Sequence, residues 1–362
     1  MKTRPYNFGA GPATLPESIL LEAQAELLSW QGSGVSILET GHRTPEFEQL
    51  MSDAEADLRA LLAIPEHYHV LFLGGAARTQ FAMVPMNLVQ PGQQAAFLIS
   101  GVWSGFAYEE ASRLTSAYCL GTSYASEFKQ VPQFQQKLIR KNTAYVHYTP
   151  NETINGVRFS QTPQTGAVPL VADMTSCLLS EPIKVNDFGL IFAGAQKNIA
   201  PAGLTVVIIR ADLLENSSHS LLPTMLDYKT HVTYHSLYAT PPMFNCYLAA
   251  KMFKWIKGEG GVEALYEKNC AKAEKLYNYI DNSSFYTCTI EKESRSLMNV
   301  CFSLPEKSME ADFLNRAAMH GLYALKGHRL VGGLRASLYN AMPMAGVDAL
   351  IAFMQEFQNE IY

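Results

Sequence analysis

Leu190-Ile191-Phe192-Ala193-Gly194-Ala195-Gln196-Lys197-Asn198 is an apolar run that stops at a glycine and delivers a lysine. Upstream, Pro169-Leu170-Val171-Ala172-Asp173 is a second apolar run, and it delivers an acid. Both runs lack polar alternation, the pattern of strands buried on both faces of a sheet. In open α/β sheets, ligands bind beyond the carboxyl ends of the strands. An acid and an amine at successive strand ends suit a cofactor that needs a nucleophilic lysine and an anionic partner for a ring nitrogen. Pyridoxal phosphate needs both. Taken alone, the pair reads more readily as a helix-capping acid and a surface lysine, since both residues are common at strand ends.

Further strand-like runs lie at 69–73, 95–100, 116–120, 144–147 and 204–209, with 35–39 as a shorter one. Helix-compatible stretches at 105–114 and 132–139 fall between some of them. Thr14 and Glu17 have capping-box spacing for a helix running through Trp30, and Thr44-Pro45 opens another. This alternation predicts an α/β fold with a large, mostly parallel sheet. After Gly258-Glu259-Gly260-Gly261 the pattern changes. A long helical stretch at 262–280 precedes strand-like 286–290 and 298–304 and a helical 309–320. The expected division is a large α/β domain over 16–260 and a smaller α+β C-terminal domain over 261–362, with 1–15 packing on the latter.

The chain has 362 residues, a formal net charge of -5 and 17% charged residues, which argues against a general polyanion binder. No apolar run is long enough for a bilayer, and residues 1–11 lack a signal-peptide core. Six cysteines without a CxxC pair read as reduced thiols in a cytoplasmic protein. No nucleic acid, membrane or metal is expected as a partner.

Other residues after strand-like runs carry possible chemistry. Gly74-Gly75-Ala76-Ala77-Arg78-Thr79 can cradle a phosphate or simply form a tight turn. Trp103 can stack on a flat ring or fill the core, and Thr153 can bond a ring hydroxyl or shape a turn. Arg43, Arg78, Arg329 and Arg335, with His42 and His328 nearby in sequence, form a basic set suited to carboxylate and phosphate.

Together these stretches resemble the phosphoserine aminotransferases, a family of class-V, fold-type I pyridoxal-phosphate enzymes. The resemblance runs nearly end to end. It rests on Asn7-Phe8-Gly9-Ala10-Gly11-Pro12, His42-Arg43, residues 75–81, and His147-Tyr148-Thr149-Pro150-Asn151-Glu152-Thr153. It continues through Gly194-Ala195-Gln196-Lys197-Asn198, Thr240-Pro241-Pro242, residues 324–335 and Tyr339-Asn340-Ala341-Met342-Pro343.

The resemblance implies catalytic Lys197, Asp173 and Trp103. Lys197 carries the cofactor, Asp173 pairs with its ring nitrogen, Trp103 stacks on the ring and Thr153 contacts the ring hydroxyl. Ala77, Arg78 and Gln196 line the phosphate side, and Ala239-Thr240 reach the cofactor phosphate of a neighbouring subunit in a homodimer. His42, Arg43, Arg78, His328, Arg329 and Arg335 hold the substrate. The implied reaction is ping-pong transfer of the amino group of glutamate to 3-phosphohydroxypyruvate, with the related phosphorylated oxo-acid of pyridoxine synthesis as a second substrate. Alternatives are a small-substrate aminotransferase of the same fold type, of the serine or alanine–glyoxylate kind, and a non-catalytic scaffold. No cysteine lies in a Gly/Ser loop suited to a desulfurase. Two departures stand out: Ala239 where the family usually has Asn, and Ala10 where it often has Ser.

Overall fold

The computed structural model describes residues 4–215 and 222–361. Seven strands form the central sheet: β1 (Tyr68–Gly74), β2 (Gln94–Ile99), β3 (Ala117–Thr122), β4 (Thr143–Tyr148), β5 (Leu170–Asp173), β6 (Leu190–Gly194) and β7 (Leu204–Arg210). Their spatial order is β1-β7-β6-β5-β4-β2-β3. Neighbours from β6 through β3 run parallel. β7 runs antiparallel to both β1 and β6. The sheet is therefore mostly parallel, as the unbroken apolar runs require. Every residue of β5 and β6 is buried.

The helices that matter here are α1 (Glu17–Glu26), α2 (Pro45–Leu62), α3 (Gln80–Leu88), α4 (Val102–Leu114), α5 (Met243–Gly258), α6 (Gly261–Asn282), α7 (Glu310–Met319) and α8 (Met344–Ile361). Thr44 caps α2 by accepting from the Phe47 amide, with Pro45 in the first turn.

One core lies on a face of the sheet and includes Phe47, Leu58, Val146, Ile191, Phe253, Val262 and Leu265. A second core fills the opposite face, under α3 and α4. The third joins α6 from Ala273 onward to α7, α8 and the antiparallel pair Asn299–Phe302 and Leu334–Ser337. Helix α6 thus serves two cores, its first turns belonging to the sheet and its later turns to the C-terminal layer. Phe8 is wholly buried in that C-terminal core, and Tyr6–Asn7 pairs in parallel with Leu322–Tyr323. Met1–Thr3 of the N-terminal segment lie outside the described residues.

Four local expectations are corrected. Thr14 does not cap α1, which starts at Glu17 with Pro16 at the cap and ends at Glu26. Pro16 disfavours helical backbone at Leu15, so the helix starts after it. Trp30 lies in a separate short turn. Residues 35–39 form a turn closed by Glu39 and Thr40 amides on the Ser36 carbonyl. Residues 132–139 hold only one 3-10 turn, Gln136–Leu138, and Phe134 and Ile139 reach the first core from an otherwise extended chain. Residues 286–290 contribute one isolated bridge, Thr287 to Ser303, rather than a strand.

Candidate active site

The carboxyl ends of β1, β2, β4, β5 and β6 open on one cavity of about 220 Å³. Asp173 is the last residue of β5 and Lys197 follows β6 in a turn. Both line the cavity, each under a tenth exposed. Thr153, after β4, accepts a hydrogen bond from Lys197 Nζ. Ala76, Ala77 and Arg78, after β1, and Trp103, after β2, complete much of the wall. Gln196 closes the remaining side, and its carbonyl accepts from the Ala13 amide at 2.9 Å.

Asp173 Oδ1 accepts from the Thr175 amide at 3.0 Å, and Thr175 Oγ1 accepts from the Gly194 amide at 3.1 Å. The acid-bearing strand end is thereby tied to the lysine-bearing one. Burial pulls the Lys197 amine down to about 8, with Asp173 opposing the shift and Arg335 reinforcing it. Burial raises the Asp173 carboxyl, against the Thr175 hydrogen bonds and the nearby Lys197 charge.

Segment 151–155 is the hub of the site. Asn151 bonds Ser176, Ser296 and Asn299. Glu152 accepts from the Trp103 and Ser104 amides. Thr153 touches Lys197 through its hydroxyl, and its carbonyl accepts from Arg335 Nη1 at 3.2 Å. Beyond it, Ile154 and Asn155 line an adjoining cavity of 430 Å³ that also contains Arg335 and His328. Burial, with Arg335 and Arg329 behind it, lowers the His328 ring. Arg329 is exposed and lines neither cavity.

The Arg78 guanidinium lies 4.6 Å from the Phe106 ring centroid and 5.9 Å from that of Trp103. His42, Arg43, Ala239 and Thr240 are not brought to Lys197 within the chain. His42 Nδ1 and Thr240 Oγ1 instead pair with each other at 3.1 Å, and Arg43 lines a separate depression beside Leu237. Sequence reasoning missed Phe81, Thr149, Asn151, Thr175 and Ser176, all of which line the cavity around Lys197. Thr149 and Asn151 sat within the quoted motif; Thr175 and Ser176 were marked only by following Asp173.

The residues present fit pyridoxal phosphate. Two buried polar atoms without a partner, Trp103 Nε1 and Thr149 Oγ1, belong to cavity-lining side chains. An amine, an acid, a hydroxyl and an arginine share the same walls. Among the described residues no histidine, cysteine or carboxylate group clusters as a metal site would require.

Residues 5–350 match the family described as aminotransferase class-V. This chain belongs to the class-V aminotransferases. Its members' transamination chemistry depends on pyridoxal phosphate, and the same cofactor serves here. A phosphoserine aminotransferase of Legionella pneumophila (strain Corby) is 63% identical over 99% of both chains. One of Hahella chejuensis is 50% identical, again over 99% of both. Among solved structures, phosphoserine aminotransferase from Bacillus circulans subsp. alkalophilus matches with a TM-score of 0.96, 44% identity and 99% coverage of each chain. The pyridoxal-phosphate-bound enzyme of Trichomonas vaginalis matches at 0.92 with 38% identity, over 97% of this chain and 100% of that one. The class-V aminotransferase fold accounts for the strand order and for the cavity at the strand ends. No helix among the described residues is long and apolar enough to cross a membrane.

Proposed function

We propose that the chain is a phosphoserine aminotransferase. It transfers the amino group of L-glutamate to 3-phosphohydroxypyruvate, reversibly, giving O-phospho-L-serine and 2-oxoglutarate. The observation that carries the reading is the join at Thr153, where the lysine-bearing cavity meets the one containing Arg335 and His328. A second reaction, on the phosphorylated oxo-acid of pyridoxine synthesis, uses the same anion-binding groups.

When bound, pyridoxal phosphate supplies an aldehyde for amines and a ring that accepts the electron pair released at the substrate α-carbon. Lys197 would hold it covalently, and its free amine would act as the base and acid at that carbon. An amine brought down to about 8 can serve in both roles near neutral pH. Asp173 keeps the ring nitrogen protonated, which requires the carboxylate form. Trp103 covers the ring, Thr153 bonds its hydroxyl, and Ala77, Arg78 and Gln196 face the phosphate. Arg335 grips the substrate α-carboxylate and His328 receives the distal anion, with Arg329, outside the cavity wall, adding positive charge beside His328. Arginine suits this task because its fork pairs with carboxylate and phosphate alike.

The working form is a homodimer, and the cytoplasm its compartment. Leu20, Leu21 and Leu28 of the α1 region and Val35 and Leu38 after it are exposed, an apolar surface that a second copy would cover. His42, Arg43, Ala239 and Thr240, remote from Lys197 in their own chain, then serve the neighbour's site.

Two assays test these readings. Turnover of phosphoserine with 2-oxoglutarate should exceed that of alanine with glyoxylate, and the reverse order would overturn the substrate assignment. Mixing Lys197→Ala subunits with Arg43→Ala subunits should restore activity through hybrid dimers. No restoration from folded, exchanging subunits would contradict shared sites.

A further inference from the structure

Helix α4 begins without a side-chain cap of its own. Its cap residue is Gly101, and the first three amides of the helix must find acceptors elsewhere. They find them in the hub segment: Val102 donates to Asn155 Oδ1 at 3.1 Å, Trp103 to Glu152 Oε2 at 3.0 Å and Ser104 to Glu152 Oε1 at 2.8 Å. The Ser104 hydroxyl adds a further hydrogen bond to Glu152 Oε1 at 2.6 Å. Glycine at 101 is what admits the acid, since a Cβ there would lie 2.6 Å from Glu152 Cδ.

Glu152 is wholly buried, and no lysine, arginine or histidine pairs with it among the described residues. Burial raises its carboxyl to about 7, and the three Ser104 and Trp103 donors, at the positive end of a helix, oppose that rise. Nothing in the reaction uses this acid, and it does not line the cavity. Two residues around it do matter there: Trp103, in the helix, lines the cavity, and Thr153, next to Glu152 in the chain, takes the Lys197 hydrogen bond.

We infer that Glu152 is a positioning residue that sets the Trp103 indole against the Lys197–Thr153 side of the cavity, by capping α4 from the segment that carries Thr153. The inference rests on the reading of Trp103 as the residue that covers the cofactor ring. One rigid carboxylate links the Trp103 main chain directly to the residue that touches the lysine. Glutamine cannot replace it. If its carbonyl keeps the two Ser104 donors, its amide group faces the Trp103 N–H, donor against donor. The tryptophan is then the group released.

The test is a double-mutant cycle on the reconstituted holoenzyme, read by the cofactor's visible absorption band and its dissociation constant. Glu152→Gln should shift the band and weaken cofactor binding by about tenfold, the loss of one charge-assisted hydrogen bond. In a Trp103→Ala background, with no indole to misplace, the same change should alter binding by less than about twofold. Ser104→Ala, which removes only the hydroxyl donor, should move the band in the same direction by less. It takes over both arms of the cycle if Glu152→Gln does not fold. An unchanged band in a folded Glu152 or Ser104 variant, or an equal effect in both backgrounds, overturns the proposal. Trp103→Ala alone leaving the band and affinity unchanged is a different failure. It removes the stacking reading, and Glu152 loses its target with it.

Discussion

Arg335 donates from Nη1 to the main-chain carbonyl of Thr153 at 3.2 Å, while the Thr153 hydroxyl accepts a hydrogen bond from Lys197 Nζ. A single residue therefore couples the arginine of the C-terminal layer to the lysine of the sheet. The arginine sits on the strand Leu334–Ser337 and the lysine after β6, so the coupling crosses the boundary between two cores.

Replacing Arg335 by Met should raise the KM for glutamate by roughly thirtyfold, the loss of about 2 kcal/mol from a charge-assisted hydrogen bond. The kcat should fall less. Steady-state kinetics with both amino donors checks this, and an unchanged KM would remove Arg335 from substrate binding.

The reactivity of Lys197 should show its lowered basicity. Cofactor attachment to the apoprotein needs the neutral amine, whose fraction grows as pH rises through about 8, against 10.5 for an ordinary lysine. The attachment rate should climb between about pH 7 and 9 and then level off. A rate still rising at pH 10 would contradict it. Arg335 is one of the charges that lower the amine, so Arg335→Met should move the midpoint upward.

Lys272 carries a third prediction, about stability. It lies on α6, almost wholly buried, and its ammonium donates to the carbonyls of Leu338, Tyr339 and Met342, each at 3.0 Å. Three donors meet three acceptors, the full complement of the charged form, even though burial pulls the amine down to about 7. The loop so held sends the Asn340 amide to Asn198 Oδ1, next to Lys197. Lys272→Met leaves three carbonyls without their donor and should cost about 3 kcal/mol in denaturant unfolding. A midpoint equal to that of the unmodified protein would show that the loop closes without it.

The sheet was legible because its strands are buried on both faces and therefore carry unbroken apolar runs between turn residues. Lys197 and Asp173 were legible for the same reason, since a strand end marks where a ligand can approach. Local signals misled where tertiary packing overrode them. Thr14 had capping spacing, but Pro16 moved the helix start. Residues 35–39 had strand-like composition but lie outside any sheet. Glu152 drew no notice on its own because its partners, Trp103 and Ser104, stand 49 and 48 residues earlier in the chain. His42 and Thr240 were marked by motif, yet within the chain they pair with each other rather than with Lys197, a juxtaposition that 198 residues of sequence separation conceal.

Borohydride reduction of the holoenzyme followed by peptide mapping tests the central claim most directly. The label should be found on the peptide containing Gln196-Lys197-Asn198, at Lys197 alone, and Lys197→Ala should take up none while remaining folded. Label on any other lysine, or equal label in Lys197→Ala, would contradict the account.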